Sequence, residues 1–150
     1  LEASSAASDV YKRQETQPVL LRLKSDLVSH CMAALNNSLN REKVEWETRK
    51  SLGVVMASGG YPGNYSNNHP ILGLEDISSN YGHKVFHGGT KFADNRLVTN
   101  GGRVLCVTAL GDSLEDAKTS AYELVSKISW ENVQYRTDIG WRAIEKNRKI

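Results

Sequence analysis

Apolar residues near the start of the chain repeat at helical spacing. The repeat, at intervals of three or four, comprises Leu20, Leu23, Leu27, Cys31 and Leu35. Such spacing places these side chains on one face of an α-helix. Pro18 suits the first turn of that helix, because its missing N–H would be unpaired there in any case. The pattern predicts one helix from about Thr16 to Leu35, ended by the polar residues 36–38.

Further along the chain the apolar pattern changes to that of β-strands. Residues 52–57, 84–87 and 103–110 are strand candidates, and residues 92–98 contain two more strand pieces around a turn at Asp94-Asn95. The run 103–110 is almost continuously apolar, which is typical of a central strand covered on both faces. Residues 59–70 contain three glycines, two prolines and three asparagines. This composition predicts a long irregular loop, and such loops are often functional.

A second helix is predicted directly after the strongest strand. Ser113 and Asp116 have the spacing of a capping box, in which each side chain binds a backbone N–H at the helix start. The apolar stripe of this helix comprises Leu114, Ala117, Ala121, Leu124, Val125 and Ile128. Together these elements predict an α+β fold, a mostly antiparallel sheet flanked by two main helices.

Composition narrows the possible functions. The chain has 150 residues, with 19 basic and 17 acidic side chains and a net charge of +2. This balance predicts neither a nucleic-acid nor a membrane partner. The cysteines Cys31 and Cys106 lie far apart in apolar stretches, which favours reduced, buried thiols in a cytoplasmic protein. Residues 1–14 are mostly small and polar at their start, and we expect them to be a foreign or disordered leader.

No catalytic or metal-binding motif is evident in the sequence. His30 and Cys31 are adjacent and would point in different directions on a helix, and the remaining histidines are scattered. There is no nucleophile elbow, phosphate-binding Walker loop or dinucleotide-binding glycine motif. We therefore predict no catalytic residue and no metal ligand in this chain.

The remaining chemical signal is the placement of glycine pairs. They occur in the segments 58–61, 87–90 and 100–103, each after a strand-like run. Consecutive glycines let backbone N–H groups converge on an anion, and Arg103 could add a bidentate contact to phosphate or carboxylate. The alternative is that each pair forms a tight turn or bulge in an antiparallel sheet. Residue types alone favour turns and leave the anion-binding interpretation open.

Several segments resemble one enzyme family. These segments are Gly53-Val-Val-Met-Ala-Ser-Gly-Gly-Tyr-Pro-Gly-Asn-Tyr65, Lys84-Val-Phe-His-Gly-Gly-Thr-Lys91, Val98-Thr-Asn-Gly-Gly-Arg-Val-Leu-Cys-Val-Thr-Ala-Leu-Gly111 and Tyr135-Arg-Thr-Asp-Ile-Gly-Trp-Arg-Ala143. They resemble, in order, the C-terminal domain of the phosphoribosylamine–glycine ligases, also called glycinamide ribonucleotide synthetases. The stretch Glu15-Thr-Gln-Pro-Val-Leu-Leu-Arg-Leu-Lys-Ser-Asp-Leu27 resembles the last part of that family's ATP-grasp region.

The resemblance implies a role in de novo purine synthesis. A full-length enzyme of this family uses ATP, with Mg²⁺ or Mn²⁺, to join glycine to 5-phosphoribosylamine. Residues 15–50 would then be the end of the ATP-grasp region, comprising a helix and a connection. Residues 51–150 would be the C-terminal α+β domain, resembling the hybrid-motif domain of ATP-grasp ligases.

The resemblance breaks before Glu15. The family's stretch of the form Glu-x-Asn-x-Arg-Phe-Gly-Asp-Pro, whose Glu and Asn bind the metal, has no counterpart in residues 1–14. We therefore expect a C-terminal fragment that is inactive alone, has no bound cofactor and lacks its partner N-terminal ATP-grasp domains. The alternative is a non-catalytic ligand-binding or packing module of the same fold. Leu20, Leu23, Leu27 and Trp46 are expected to pack on the absent domains.

The same resemblance gives a candidate site. In ATP-grasp ligases the C-terminal domain lies beside the catalytic cleft, so glycine turns could line that cleft. The candidate cleft-lining residues are His87, Gly88, Gly89, Thr90, Asn100, Gly101, Gly102 and Arg103. Their predicted role is to position the phosphate or carboxylate of a substrate, and a purely structural role is the alternative.

Overall fold

The computed structural model describes residues 15–78 and 80–147. The leader predicted for residues 1–14 lies outside these described residues. The helices are residues 15–22 (α1), Leu27–Leu35 (α2), Leu114–Val125 (α3) and Trp141–Asn147 (α4), with a 3-10 turn at Leu39–Arg41. The strands are Lys50–Ala57 (β1), His83–His87 (β2), Thr90–Ala93 (β3), Arg96–Thr99 (β4), Arg103–Gly111 (β5) and Gln134–Tyr135 (β6).

The main sheet is antiparallel and has the strand order β2-β5-β1-β6. Strand β5 is paired on both sides, so the prediction of a central strand is confirmed. Strands β3 and β4 form a separate two-stranded sheet, with Asp94 and Asn95 at positive φ in the turn that joins them. The α+β class with antiparallel pairing is confirmed, although the described residues contain more helices than the two main ones predicted.

One face of the main sheet packs against α3 and forms the core. Cross-strand pairs such as Val54 and Val107 point to this face because side chains alternate along a strand. The buried cluster includes Leu52, Val54, Met56, Leu105, Val107, Ala109, Ala117, Ala121, Leu124 and Val125. The predicted capping box of α3 is confirmed: the Asp116 N–H donates to Ser113 Oγ at 3.0 Å, and the Ser113 N–H donates to Asp116 Oδ2 at 3.1 Å.

The opposite face of the sheet carries α1. Pro18 lies directly over Gly53, where a Cβ would come within 2.7 Å of Pro18 Cγ and 3.3 Å of Cys106 Sγ. The Ser51 hydroxyl donates to the Pro18 carbonyl oxygen at 2.8 Å. Because a real Cβ essentially never approaches another atom so closely, Gly53 makes this contact possible. The first helix therefore covers part of the face that α3 leaves open.

The single helix predicted over 16–35 is wrong, because the chain breaks between α1 and α2. Leu23 forms an isolated antiparallel bridge with Trp46, so residues before α2 bind another segment instead of continuing the helix. Asp26 then begins α2 by accepting hydrogen bonds from Val28 N at 3.2 Å and Ser29 N at 3.1 Å. Aspartate at this position stabilises a helix start.

The break also changes the environment of the predicted apolar face. Leu27 is 48% exposed and Leu35 is 77% exposed, because α2 does not pack on the sheet. Cys31 lies on the same helix and is exposed, so the prediction of two buried thiols holds only for Cys106.

Glu47 joins α1 to the approach to β1. Arg22 donates from Nε and Nη2 to the Glu47 carbonyl oxygen at 3.2 and 3.0 Å, and the Glu47 N–H donates back to the Arg22 carbonyl oxygen at 2.7 Å. The Glu47 carboxylate accepts hydrogen bonds from the Arg49 guanidinium at 2.9 Å and from Arg49 N at 3.2 Å. These hydrogen bonds, led by that of the Arg49 side chain, lower the pKa of Glu47 to about 2. Glu47 is therefore buried and paired within the otherwise mostly exposed segment 40–50.

We expect Gly53→Ala to destabilise the chain, because the added Cβ would overlap the Pro18 ring. An overpacked contact of this kind costs about 1–3 kcal/mol of the free energy of unfolding. Thermal and denaturant unfolding would measure the loss, with Gly82→Ala as the control, because a Cβ there would meet only the Asn80 side-chain oxygen, at 3.2 Å.

A double-mutant cycle with Pro18→Ala tests the cause. Removing the ring should make Gly53→Ala much less costly, so the two changes should be strongly non-additive. Additive effects would show that Pro18 is not the source of the strain.

Candidate functional site

The three glycine-pair segments meet at one end of the main sheet. The Ser58 N–H donates to the Gly102 carbonyl oxygen at 2.8 Å, and the Ser58 hydroxyl donates to the Gly101 carbonyl oxygen at 2.8 Å. The Asn100 N–H donates to the Gly89 carbonyl oxygen at 2.7 Å. Segments far apart in the sequence are thus joined through main-chain groups.

Close approach explains why glycine occurs at these positions. A Cβ on Gly89 would lie 3.0 Å from Gly101 Cα, so the two backbones are in direct contact. A Cβ on Gly102 would overlap the ring of Tyr61. Packing therefore requires glycine at positions 89 and 102, and none of the glycines in the segments 87–90 and 100–103 has a positive φ.

Beside the glycine segments, on the α1 face of the sheet, lies a cavity of about 550 Å³. A cavity of this size is typical of sites for small molecules. Its lining comprises Gln17, Val55, Tyr61, Tyr65, Phe86, Gly88, Gly89, Asn100, Gly101, Gly102, Arg103, Leu105 and Cys106. Six of the eight sequence-predicted site residues are among them.

Arg103 is the cationic group of this cavity. It is half-buried, and its Cζ lies 6.0 Å from the centroid of the Tyr61 ring, within the range of a cation–π contact. Among the described residues no carboxylate lies within ion-pair distance of its guanidinium. The planar donors of an arginine bind phosphate or carboxylate well, so Arg103 is suited to hold an anion here.

The N–H groups of Gly88 and Gly89 do not point to a ligand. Both donate to the carbonyl oxygen of Val104, at 2.9 and 3.0 Å. They extend the pairing of β2 with β5 where the register of β1 and β5 shifts. These two glycines form a wall of the cavity rather than an anion-binding loop.

His87 and Thr90 lie apart from the cavity. His87 Nδ1 and Thr90 Oγ1 are 3.1 Å apart and form a hydrogen bond. The His87 side chain borders a separate, smaller hollow with Lys84 and Leu74. Their predicted role in lining a substrate cleft stays a prediction that the cavity lining does not support.

A second cavity of about 600 Å³ adjoins the first and shares Val55, Tyr61 and Arg103 with it. We call the two cavities together the groove. The Gln134 side chain lines the second cavity and donates from Nε2 to the Tyr61 carbonyl oxygen at 2.7 Å. Arg136, in the same lining, makes a bidentate ion pair with Asp138 at 2.9 and 2.7 Å. Arg103 therefore stands where the two cavities meet.

The sequence analysis missed several lining residues. Tyr61 could have been found, because it follows the first glycine pair directly and an aromatic ring can pack on a glycine backbone. Tyr135 and Arg136 lie within a motif quoted for the family resemblance, but nothing in the sequence places them beside Arg103. Gln17 carried no signal, since a polar residue in a helix usually faces solvent.

The loop over residues 59–70 is held by a hydrogen-bonded row of side chains. His69 Nδ1 lies 3.0 Å from Glu131 Oε2, and His69 Nε2 lies 2.7 Å from Ser66 Oγ. The prediction of an irregular loop is confirmed. The row connects this loop to the segment before β6.

Residues 15–78 and 80–147 contain neither a metal-binding cluster nor a membrane-spanning helix. No group of three or more His, Cys, Asp or Glu side chains there could hold a metal ion. No helix within the same ranges is long and apolar enough to cross a membrane.

Comparison with known proteins identifies the family. Residues 51–142 match the family model described as phosphoribosylglycinamide synthetase, C domain. The chain belongs to this family. Residues 51–142 include β1 except its first residue, β2 to β6, α3 and most of the groove.

Relatives of the phosphoribosylglycinamide synthetase C domain family extend the match toward α1. The chain is 54% identical over 137 residues to the phosphoribosylamine–glycine ligase of Escherichia coli K12, a match that covers 89% of this chain and 31% of that protein. It is 47% identical over 135 residues to the enzyme of the same name from Vibrio parahaemolyticus, covering 90% and 31%. The chain thus spans about a third of the length of these relatives.

A solved structure agrees with this family assignment. The crystal structure of phosphoribosylamine–glycine ligase from Thermotoga maritima is similar with a TM-score of 0.56 and 32% sequence identity. The similarity covers 72% of this chain and 27% of that one. The family resemblance and the fold class predicted from the sequence are both confirmed.

We expect the two cysteines to differ sharply in reactivity. Burial raises the pKa of Cys106 to about 11, so its thiol stays protonated at pH 8, whereas Cys31 is exposed. Iodoacetamide followed by mass spectrometry should find Cys31 modified first and Cys106 only after unfolding. A Cys31→Ser variant is the control, and rapid labelling of Cys106 in that folded variant would contradict the expectation.

Proposed function

We propose that this chain forms the C-terminal part of an ATP-dependent phosphoribosylamine–glycine ligase in de novo purine synthesis. The complete enzyme would join glycine to 5-phosphoribosylamine and release ADP and phosphate. The family match and the names of the relatives support this proposal. The unpaired free thiols of Cys31 and Cys106 support a cytoplasmic location.

Within that enzyme, the groove would form one wall of the substrate site. The observation that carries this role is Arg103, a half-buried cation without a carboxylate partner among the described residues, set in a cavity of ligand size. Arg103 would hold the phosphate or carboxylate of a substrate and so orient it. No nucleophile or proton-transfer group is assigned to the groove, so bond formation would take place on groups supplied by the rest of the enzyme.

ATP and its metal would be held outside the part of the chain that the structure describes. The donor set of residues 15–78 and 80–147 does not fit a Mg²⁺ or Mn²⁺ site, because no three candidate ligand side chains lie together.

Residues 15–50 would belong to the end of the ATP-grasp region and contact the preceding domains. The exposure of apolar side chains on α2 supports this, since Val28 is 67% exposed and Met32 is 52% exposed. Trp46, which the sequence predicted to pack on those domains, is 48% exposed. An exposed apolar face of this kind marks a contact surface. Residues 51–150 would be the C-terminal domain itself.

We expect the isolated chain to show no ligase activity. Purified chain would be assayed for ATP-, glycine- and phosphoribosylamine-dependent ADP release, next to a full-length enzyme that contains residues 15–150. ADP release coupled to glycine by the chain alone would disprove this expectation. Absence of ligation by the full-length enzyme as well would favour the non-catalytic module.

Arg103→Ala in the full-length enzyme should raise the KM of the anionic substrate that it holds. A charge-assisted hydrogen bond is worth about 1.5–3 kcal/mol, or roughly 10- to 100-fold in KM. Steady-state kinetics with each substrate varied in turn would measure this. Arg103→Lys should recover part of the loss, and Arg96→Ala on the exposed hairpin is the matched control. Unchanged kinetics with lowered stability would show that Arg103 is structural.

A further inference from the structure

Gln17 has an unusual environment for a polar residue of a surface helix. Its side chain lines the same cavity as Arg103. The amide oxygen Oε1 is buried from solvent and has no hydrogen-bond partner among the described residues. Leaving a buried carbonyl oxygen unpaired destabilises a folded chain, and such atoms are rare in native proteins. A polar atom kept in this position indicates that something else donates to it.

The position of Gln17 is fixed by its neighbour in the sequence. Pro18 is seated against Gly53 and is held through its carbonyl oxygen by Ser51. Because α1 is anchored at the next residue, Gln17 is held at the edge of the cavity that it lines.

The two polar groups define the ligand by its chemistry. An amide oxygen only accepts hydrogen bonds, so Oε1 needs an N–H or O–H donor, whereas the guanidinium of Arg103 only donates and prefers an anion. Asn100, Tyr61 and Tyr65 also line the cavity, but Gln17 Oε1 is the polar side-chain atom of the lining that is buried without a partner among the described residues. A molecule that satisfies both residues carries a donor at one end and an anionic group at the other.

We infer that Gln17 positions an amine-bearing, anionic substrate by accepting a hydrogen bond from its amine N–H, while Arg103 binds its anion. This inference rests on the function proposed above. Both glycine, with an amine and a carboxylate, and 5-phosphoribosylamine, with an amine and a phosphate, have this chemistry. Gln17 is thus a positioning residue whose acceptor orients the amine and takes no part in bond making.

The test uses the full-length enzyme with Gln17→Met, which keeps the length of the side chain and removes the amide oxygen. KM would be measured for glycine and for 5-phosphoribosylamine, each with the other substrates saturating. We expect KM to rise about ten-fold for one of the two amines, the value of one lost hydrogen bond, with a smaller change in kcat. A rise for glycine alone assigns the amine of glycine to Gln17, and a rise for 5-phosphoribosylamine alone assigns the other.

Further variants separate recognition from structure. Gln17→Asn keeps the amide but withdraws the oxygen by one methylene, so it should raise the same KM. Gln17→Asn also decides the question if the Met variant does not fold. The matched control is Lys24→Met, an exposed position outside the groove with the same new side chain.

The outcomes are distinct from those of the proposed function. Unchanged KM values for both amines in an active enzyme would overturn the inference about Gln17 and leave the ligase function standing. Equal losses for all substrates with a lowered melting temperature would also overturn it, because they indicate a structural role. Absence of ligation by the unmodified full-length enzyme would overturn the function and this inference together.

Discussion

The groove depends on the contact between Pro18 and Gly53. A proline ring packs this closely on a strand only where the strand has no side chain, and Gly53 lies in the middle of β1. The contact brings α1 onto the sheet face that α3 leaves open, and with it the amide of Gln17. The main-chain pairing of Arg22 with Glu47 holds the far end of the same helix. One missing Cβ therefore sets the boundary of a cavity of about 550 Å³.

Sequence reasoning succeeded where the signal was local. Strand β5 is predictable because its apolar run needs cover on both faces, and α3 is predictable because Ser113 and Asp116 are three residues apart and can bind each other. The glycine pairs were identified as important, and all three meet beside Arg103. In each case the signal comes from residues close together in the sequence, and the same residues make the structural contact.

Prediction from the sequence failed where hydrogen bonds to a distant segment override a local helix preference. The apolar spacing from Leu20 to Leu35 is compatible with one helix, yet the hydrogen bonds of residues 45–47 to residues 22–25 end α1. Likewise, no pattern indicates that Gly88 and Gly89 share one acceptor, or that Tyr135 and Gln17 border the same groove. These features depend on pairings between residues tens of positions apart, which neither periodicity nor spacing encodes.

The shape of the groove and the contacts it offers to a ligand depend on different groups. The hydrogen bonds among the three glycine segments run between main-chain atoms, with the Ser58 hydroxyl as a further donor. None of these bonds uses the side chains of Arg103, Tyr61 or Gln17. In such a protein the few side chains that face the ligand can change while the backbone of the groove keeps its shape. New ligand preferences could therefore evolve through substitutions at very few positions.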